Sequence, residues 1–293
     1  MKLCIAAILF ALCVGCARKV EQQTQGPFLD PAFANLIPPD TNLLAGIPVE
    51  RLVKTPVYQS ALAGGKIPIV ADFSERTGIN VEKQLWQVLL VGGPRYAYWL
   101  GRGKFADELM APDFSKKGIR RKGYKGTTLF FDEGVGDDAR TLMLMNSSTT
   151  ALGELRILQD VADIRPSLKE PPARLVNMIK EIPRTAHLWA VYGGGPLRLP
   201  LEGNAANLQR LSQMLGEATV YLDLSEGFKG MAVGTALNER AAEDVEGALK
   251  GLQAISAMSA KSARFASAFQ VSREGRKITV KIDGPAELAG MLF

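Results

Sequence analysis

Residues 218–257 read ATVYLDLSEGFKGMAVGTALNERAAEDVEGALKGLQAISA and predict the unit around which the fold is organised. Val220, Leu222 and Leu224 alternate with the residues between them, which is the period of a half-buried antiparallel strand. Ser225-Glu226-Gly227 supplies a turn, and residues 228–237 form the return strand, one face of which is nearly all small. Asn238 suits a helix N-cap. Helical spacing then predicts a helix over 239–257 with a buried stripe of Ala241, Val245, Ala248, Leu249, Leu252 and Ile255.

Weaker versions of this unit recur along the chain. Ile37-Pro38-Pro39-Asp40-Thr41 introduces a predicted strand at 43–47, and Ile182-Pro183-Arg184-Thr185 introduces another at 187–192. We therefore predict an α+β fold of two similar halves, residues 41–165 and 173–293, each made of mainly antiparallel strands with helices packed on one face. Charge and proline replace periodicity in residues 163–172, which makes this segment the predicted boundary.

Further elements follow from the same signals. Strands are predicted at 88–91, 95–101, 118–124, 127–132, 141–146, 265–271 and 277–282. Helices are predicted at 67–77, 80–85, 104–110 and 173–181, and after Pro285. Ser147 or Ser148 is expected to cap a helix whose core positions are Leu152, Leu155, Leu158 and Val161.

Composition narrows the functional classes. The chain has 293 residues, 47% of them hydrophobic and 22% charged, so it buries a sizeable core without needing a metal or a disulfide to fold. The net charge of +5 is too small to indicate nucleic acid. All three cysteines (Cys4, Cys13, Cys16) lie in the first sixteen residues, which excludes a disulfide, a thiol nucleophile or a thiolate metal site from the body.

The N-terminus resembles the signal peptide of bacterial lipoproteins. Lys2 precedes an apolar run from Leu3 to Val14, which is too short to span a bilayer. Val14-Gly15-Cys16 is similar to a lipobox, although Cys13 stands where leucine is usual. The resemblance implies a signal peptide of residues 1–16, lipidation of Cys16 and a membrane anchor. Since Ala17 follows, the outer membrane is favoured if the cell has one. The alternative is an ordinary signal peptide with chance cysteines.

Residues 17–40 are polar and then proline-punctuated, which predicts a flexible tether. Pro39-Asp40-Thr41, and Thr77-Gly78-Ile79 with Glu82, Lys83 and Leu85 ahead of Gly92-Gly93, resemble a domain-of-unknown-function family of exported bacterial envelope proteins. Arg184 stands where the second half of that family would have aspartate. The resemblance implies the fold and export, and it transfers no catalytic residues.

No motif in the body indicates catalysis. His187 is the single histidine and has no second histidine or cysteine as a partner, so we expect a structural role. Asp132, Glu133, Asp137 and Asp138 crowd one loop, but their spacing does not match an EF-hand, and a solvated loop is expected. Gly193-Gly194-Gly195-Pro196 lacks the residues that complete a phosphate-binding loop. The sequence therefore predicts no metal and no cofactor.

The strongest surface signal is a basic run, Lys116, Lys117, Arg120, Arg121, Lys122 and Lys125, which a strand pair would spread over both faces at one sheet edge. Two interpretations stay open: protection of an edge strand against pairing, and contact with anionic lipid or cell-wall polymer. We expect a lipid-anchored envelope protein, facing the periplasm or the cell exterior, with a binding or structural role. An envelope hydrolase using carboxylates or a Ser/Lys pair is the alternative.

Overall fold

The structure is a computed structural model that describes residues 26–63, 74, 78–105, 119–198, 211–258 and 260–286. Its strands are β1 Leu43–Ile47, β2 Leu85–Gly92, β3 Ala97–Gly103, β4 Ile119–Tyr124, β5 Thr127–Asp132, β6 Arg140–Asn146, β7 Thr149–Glu154, β8 Leu188–Tyr192, β9 Leu215–Asp223, β10 Phe228–Ala236, β11 Phe269–Glu274 and β12 Lys277–Gly284. Its α-helices are α1 Val49–Leu52, α2 Pro56–Ala63, α3 Val81–Gln84, α4 Leu155–Ile164, α5 Ala173–Lys180, α6 Glu239–Ala257 and α7 Ala260–Ser267. Short 3-10 helices span Pro31–Leu36, Glu133–Asp138 and Arg165–Ser167.

The described strands form one sheet of twelve, in the order β11-β12-β10-β9-β8-β1-β2-β3-β7-β6-β5-β4. Every recorded pairing is antiparallel, which confirms the α+β class with a mainly antiparallel sheet. At the centre β1 pairs with β8, and Ala45 lies opposite Ala190. One sheet therefore runs through both parts of the chain that the sequence pattern separates.

Helices cover both faces of this sheet, so the expectation that they pack on one face is wrong. Neighbouring residues of one strand point to opposite faces. Leu129 of β5 belongs to a core with Leu158 of α4 and Ile179 of α5. The next residue, Phe130, belongs to a second core with Val49 of α1. The central strands bury both faces because their sequences are apolar at consecutive positions, as Leu89, Leu90 and Val91 are in β2.

The predicted unit at 218–257 is present as β9, β10 and α6. Asn238 caps α6, with the Ala241 N–H donating to its Oδ1 at 2.8 Å. The small residue Ala236 on β10 packs against Ala242 and Val245, as the small face of the strand predicts. Leu252, however, is 53% exposed and Ala248 is also exposed, so the prediction that they belong to the buried stripe is wrong.

The helix expected after Ser147 or Ser148 begins later than predicted. Residues 149–154 form β7, and α4 begins at Leu155. The Ser148 N–H donates to Asn146 Oδ1 at 2.9 Å, which stabilises a tight turn, and β-branched Thr149 and Thr150 then favour the return strand. Leu155, Leu158 and Val161 are buried on α4 as expected, whereas Leu152 faces the core from a strand.

The strand predicted at 265–271 is shortened by a helix. Residues Ala260–Ser267 are α7, and β11 begins at Phe269. Gln253 of α6 fixes this corner by donating from Nε2 to the carbonyl oxygens of Ala266 and Phe269, at 2.9 and 2.8 Å. The helices expected at 67–77 and 104–110 and after Pro285 fall wholly or largely outside the described residues.

Candidate functional site

The predicted basic hairpin is formed by β4 and β5 at the edge of the sheet. β4 pairs with β5 and is the last strand in the sheet order. Lys125 and Gly126 make the turn with φ of 47° and 77°, a left-handed pair that matches the twist of a hairpin. Lys125 is the one described non-glycine residue with positive φ. The described part of the run, residues 120–125, therefore lies on the last strand of the described sheet and its turn, which fits both interpretations of the run.

The described cations divide between the two faces of β4, as predicted. Arg121 lies opposite Phe130, and Lys122 lies opposite Leu129 on the other face. The Arg121 guanidinium carbon is 5.9 Å from the centroid of the Phe130 ring, within cation–π range. Arg120, Arg121, Lys122 and Lys125 are all exposed, while Lys116 and Lys117 lie outside the described residues.

The turn of this hairpin is tied to the end of α4. The Tyr124 hydroxyl donates a hydrogen bond to the Asp163 carboxylate and is 3.0 Å from each of its oxygens. Lys125 Nζ is 3.9 Å from Asp163 Oδ1. The Lys125 and Asp163 side chains are 64% and 46% exposed, so this ion pair contributes little to stability. The hydrogen bond from Tyr124 raises the pKa of its phenol. Lys125 therefore remains available to an anionic surface.

The His187 side chain is buried and hydrogen-bonded to the backbone. It is buried just before β8, and the Leu224 N–H donates to its Nδ1 at 3.2 Å. Burial lowers the pKa of the imidazole, the Arg51 guanidinium lowers it further, and Asp223, whose Oδ1 is 3.5 Å from Nδ1, opposes them. Because Nδ1 accepts a hydrogen bond, the neutral imidazole fits this site better than the imidazolium.

The other sequence candidates are loops held by hydrogen bonds. Asp132 Oδ1 accepts from the Gly134 N–H at 3.0 Å and so caps the 3-10 helix Glu133–Asp138. Gly194 and Gly195 take φ of 81° and 90°, and Asn42 Nδ2 donates to the Pro196 carbonyl at 2.6 Å. Among the described residues, no three His, Cys, Asp or Glu side chains stand close enough together to hold a metal ion.

A groove at the point where residues 26–30 join the fold was not predicted. It has a volume of about 390 Å³. Its walls are the 3-10 helix Pro31–Leu36, the β6–β7 turn and the segment after α4, and its polar lining residues are Asn35, Asn146, Thr149, Arg165 and Lys169. In the sequence, Arg165 and Lys169 fall in the segment 163–172 that reads as a boundary, and no signal there indicates that they lie beside residues 31–36.

Arg102 holds this region together. Its Nε donates to Asp30 Oδ2 at 2.9 Å, and its Nη1 donates to Ser148 Oγ and Thr149 Oγ1 at 2.7 and 2.6 Å. The Arg102 and Asp30 side chains are only 16% and 19% exposed, so the pair is well shielded from water. The guanidinium carbon also lies 5.9 Å from the Trp86 ring centroid. Arg102 therefore fixes Asp30 beside the groove, directly before the 3-10 helix Pro31–Leu36. Phe33, Leu36 and Ile37 are buried in the main core, so the prediction of a flexible tether is wrong for this part of residues 17–40.

Comparison with known proteins bears on the fold alone. A scan against protein-family models finds no match, and neither does a search of curated proteins. The structure is similar to TP0453 in its crystal form IV, with a TM-score of 0.50 and 11% sequence identity over 90% of this chain and 97% of that chain. In the described part of the chain, no helix is long and apolar enough to cross a membrane.

Proposed function

We propose that this protein is exported, lipidated at Cys16 and held at a membrane surface of the cell envelope, where it serves a binding or structural role. The observation that carries the proposal is the lipobox-like Val14-Gly15-Cys16 at the end of a short apolar run. Fourteen residues lie between Cys16 and Pro31, so the fold lies within about 50 Å of the anchor even when the chain is fully extended. An anchored domain of this kind works next to lipid head groups.

The proposal includes a fold of two similar halves related through the β1–β8 pair. From the centre outward, β1-β2-β3-β7-β6 and β8-β9-β10-β12-β11 run in the same relative order. The Thr41 N–H donates to the Pro38 carbonyl at 3.2 Å, and the Ala186 N–H donates to the Pro183 carbonyl at 3.0 Å. These two turns occupy equivalent places, one before β1 and one before β8, which supports a duplicated unit.

In that description the basic hairpin is an addition to the first half. Between β3 and β6 the chain inserts β4 and β5, whereas between β10 and β11 it has α6 and α7. Duplication of a common unit does not explain β4 and β5, because the described residues of the second half have no strands at the equivalent place. We propose that four exposed basic residues on this hairpin, Arg120, Arg121, Lys122 and Lys125, contact anionic lipid or polymer. Edge protection is the alternative, and vesicle binding distinguishes the two.

Metabolic labelling with a radioactive fatty acid tests the anchor. Wild-type protein should carry the label, and a Cys16→Ser variant should not, since lipidation needs that thiol. Absence of label on the wild type would reject the proposal. Vesicle binding by the basic hairpin is a separate test that the anchor does not influence.

A further inference from the structure

We infer that the groove beside residues 26–30 binds a phosphate-bearing anion, which in the setting of the proposed anchor is the head group of a membrane phospholipid. The groove is lined by Ala34, Asn35, Asn146, Thr149, Arg165 and Lys169, among other residues. The choice of a lipid as the source rests on the proposed function. The anion site itself rests only on the geometry that follows.

The charge of the groove is entirely positive. Arg165 and Lys169 both line it, and none of the described lining residues is acidic. Within the part of the chain that the structure describes, neither cation forms an ion pair or a side-chain hydrogen bond. By contrast, nearby Asp163 is already engaged by Tyr124 and Lys125. Two cations without ion-pair partners in one concave site create a positive potential that attracts an anion.

The neutral polar groups of the groove add donors. Asn146 Oδ1 accepts from the N–H and the hydroxyl of Ser148, at 2.9 and 3.1 Å, so its Nδ2 hydrogens remain for a ligand. Asn35, on the opposite wall, offers a second amide. A phosphate group has three or more acceptor oxygens, and its best partners are a planar guanidinium, an ammonium and neutral N–H donors. The groove presents all three kinds.

The surroundings of the groove fit a lipid better than a free ion. Phe28 is 70% exposed and Trp86 is 43% exposed. Both lie in the neighbourhood of Arg102, whose guanidinium is over the Trp86 ring and donates to Asp30, two residues after Phe28, and to the groove residue Thr149. Exposed aromatic rings of this kind are favoured at the level of lipid head groups. A head group in the groove would therefore place both rings at the bilayer surface.

The site can be tested with the full-length chain in micelles of a non-ionic detergent. One titration adds glycerol 3-phosphate and a second adds micelles doped with phosphatidylglycerol. A third adds micelles doped with a fatty acid, which is anionic but has no phosphate. Tryptophan fluorescence reports binding, since Trp86 contacts Arg102 beside the groove.

Two variants address the site without removing a core contact. Arg165→Gln with Lys169→Gln removes both cations. Asn146→Asp keeps the acceptor for Ser148 and places a carboxylate in the groove. Each should weaken binding of phosphatidylglycerol by at least about tenfold, because a hydrogen bond to a charged group is being lost or opposed. The matched control, Arg240→Gln with Lys277→Gln, removes two exposed charges elsewhere and should bind like wild type.

The results distinguish three claims: that the groove binds phosphate, that the phosphate belongs to a lipid, and that Cys16 is lipidated. Loss of phosphatidylglycerol binding in both groove variants supports the inference, and parallel loss of glycerol 3-phosphate binding shows that phosphate alone suffices. Equal binding of the fatty acid, equal weakening in the control variant, or unchanged binding in the groove variants would overturn it. If the wild type binds phosphate through the groove but takes up no fatty-acid label, the anchor fails and the site stands. If the wild type takes up the fatty-acid label but the groove variants bind phosphatidylglycerol like wild type, the proposed site is wrong and the anchor stands.

Discussion

Gly46 of β1 lies directly against the indole ring of Trp189 of β8. A methyl group at Gly46 would come within 2.2 Å of Cζ2 of Trp189, closer than any ordinary contact. These two residues face each other in the register of the central strand pair, and Trp189 is buried. The absence of a side chain at residue 46 is therefore what lets the central pair close over the tryptophan.

Gly46→Ala should lower the free energy of unfolding by about 1–3 kcal/mol, the usual cost of overpacking a core. Urea denaturation measures it. Gly123→Ala in β4 is the matched control, because a methyl group there meets nothing within 4 Å, and it should change stability by less than about 0.5 kcal/mol. In a Trp189→Leu background the cost of Gly46→Ala should shrink; equal costs in the two backgrounds would show that the contact is not the cause.

Two leucines on α6 separate the buried from the exposed face of that helix. Leu249 is half-buried against the cluster of Ala236, Val245 and Ile278, whereas Leu252 is 53% exposed. Leu249→Ala should cost about 2 kcal/mol, and Leu252→Ala less than about 0.5 kcal/mol, in the same denaturation assay. Equal losses would place the buried stripe on a different face.

Glu246 of α6 forms ion pairs with Lys250 and Arg273. Its carboxylate is 2.8 Å from both Arg273 Nε and Lys250 Nζ. The hydrogen bonds from Lys250 and Arg273 lower the pKa of Glu246, which is consistent with an ion-pair network between α6 and β11. A change at Glu246 would therefore disturb two elements at once.

Local signals predicted most of the strands and the cap at Asn238, but they did not predict β7 or the long-range order of the strands. Asn238 caps α6 as expected, with the Ala241 N–H donating to Oδ1 at 2.8 Å, because a cap acts within four residues. Leu252 has the same helical spacing as Leu249, and nothing in the spacing reveals that no described element covers that position. The helix predicted over Leu152 failed because pairing with β6 overrode a pattern that also fits a helix.

Of the two candidate binding surfaces, the basic hairpin could be predicted from the sequence and the groove could not. The basic hairpin is contiguous in sequence, and Lys125-Gly126 is a recognisable turn pair, so its location could be predicted. The groove combines residues 31–36 with Asn146 and Arg165, which are brought together only by the sheet order and the packing of α4. Residues this far apart carry no shared local signal.

The stability of the protein should depend on pH through His187. Its pKa in the fold is lowered, so the unfolded chain binds more protons below about pH 6.5, and stability should fall as the pH drops from about 7 to 5. The slope should not exceed about 1.4 kcal/mol per pH unit for one group. Urea denaturation at several pH values measures it.

His187→Asn supplies the control for that dependence. The asparagine can still accept from the Leu224 N–H, but it does not titrate. The slope between pH 5.5 and 7, values chosen above the usual range of carboxylates, should disappear in this variant. His187 is the only histidine, so this variant contains none. If the slope of stability against pH persists in it, a group other than histidine causes that slope.

The basic hairpin should bind anionic vesicles. Each basic residue near such a surface contributes about 1 kcal/mol, and screening acts over about 10 Å at 0.1 M salt. The body lacking residues 1–16 should sediment with anionic vesicles at low salt and be released at high salt. Changing Lys117, Arg121 and Lys125 to Glu should abolish the binding while the denaturation midpoint stays near that of wild type.

A control of equal charge lies at the other edge of the sheet. Arg276, Lys277 and Lys281 are exposed at the β11–β12 hairpin, and changing all three to Glu should reduce vesicle binding far less. If both triple variants lose binding equally, net charge and not the hairpin is responsible. If the wild type ignores anionic vesicles at low salt, the basic run only protects an edge strand.

The anchor itself is tested most directly by the mass of the mature N-terminal peptide together with fatty-acid labelling in bacterial cells. The account predicts a peptide that begins at Cys16 and carries acyl chains, radioactive label on the wild type, and neither in Cys16→Ser. A mature chain that begins elsewhere, or that takes up no label, would contradict the central claim that a lipid on Cys16 holds this protein at the membrane.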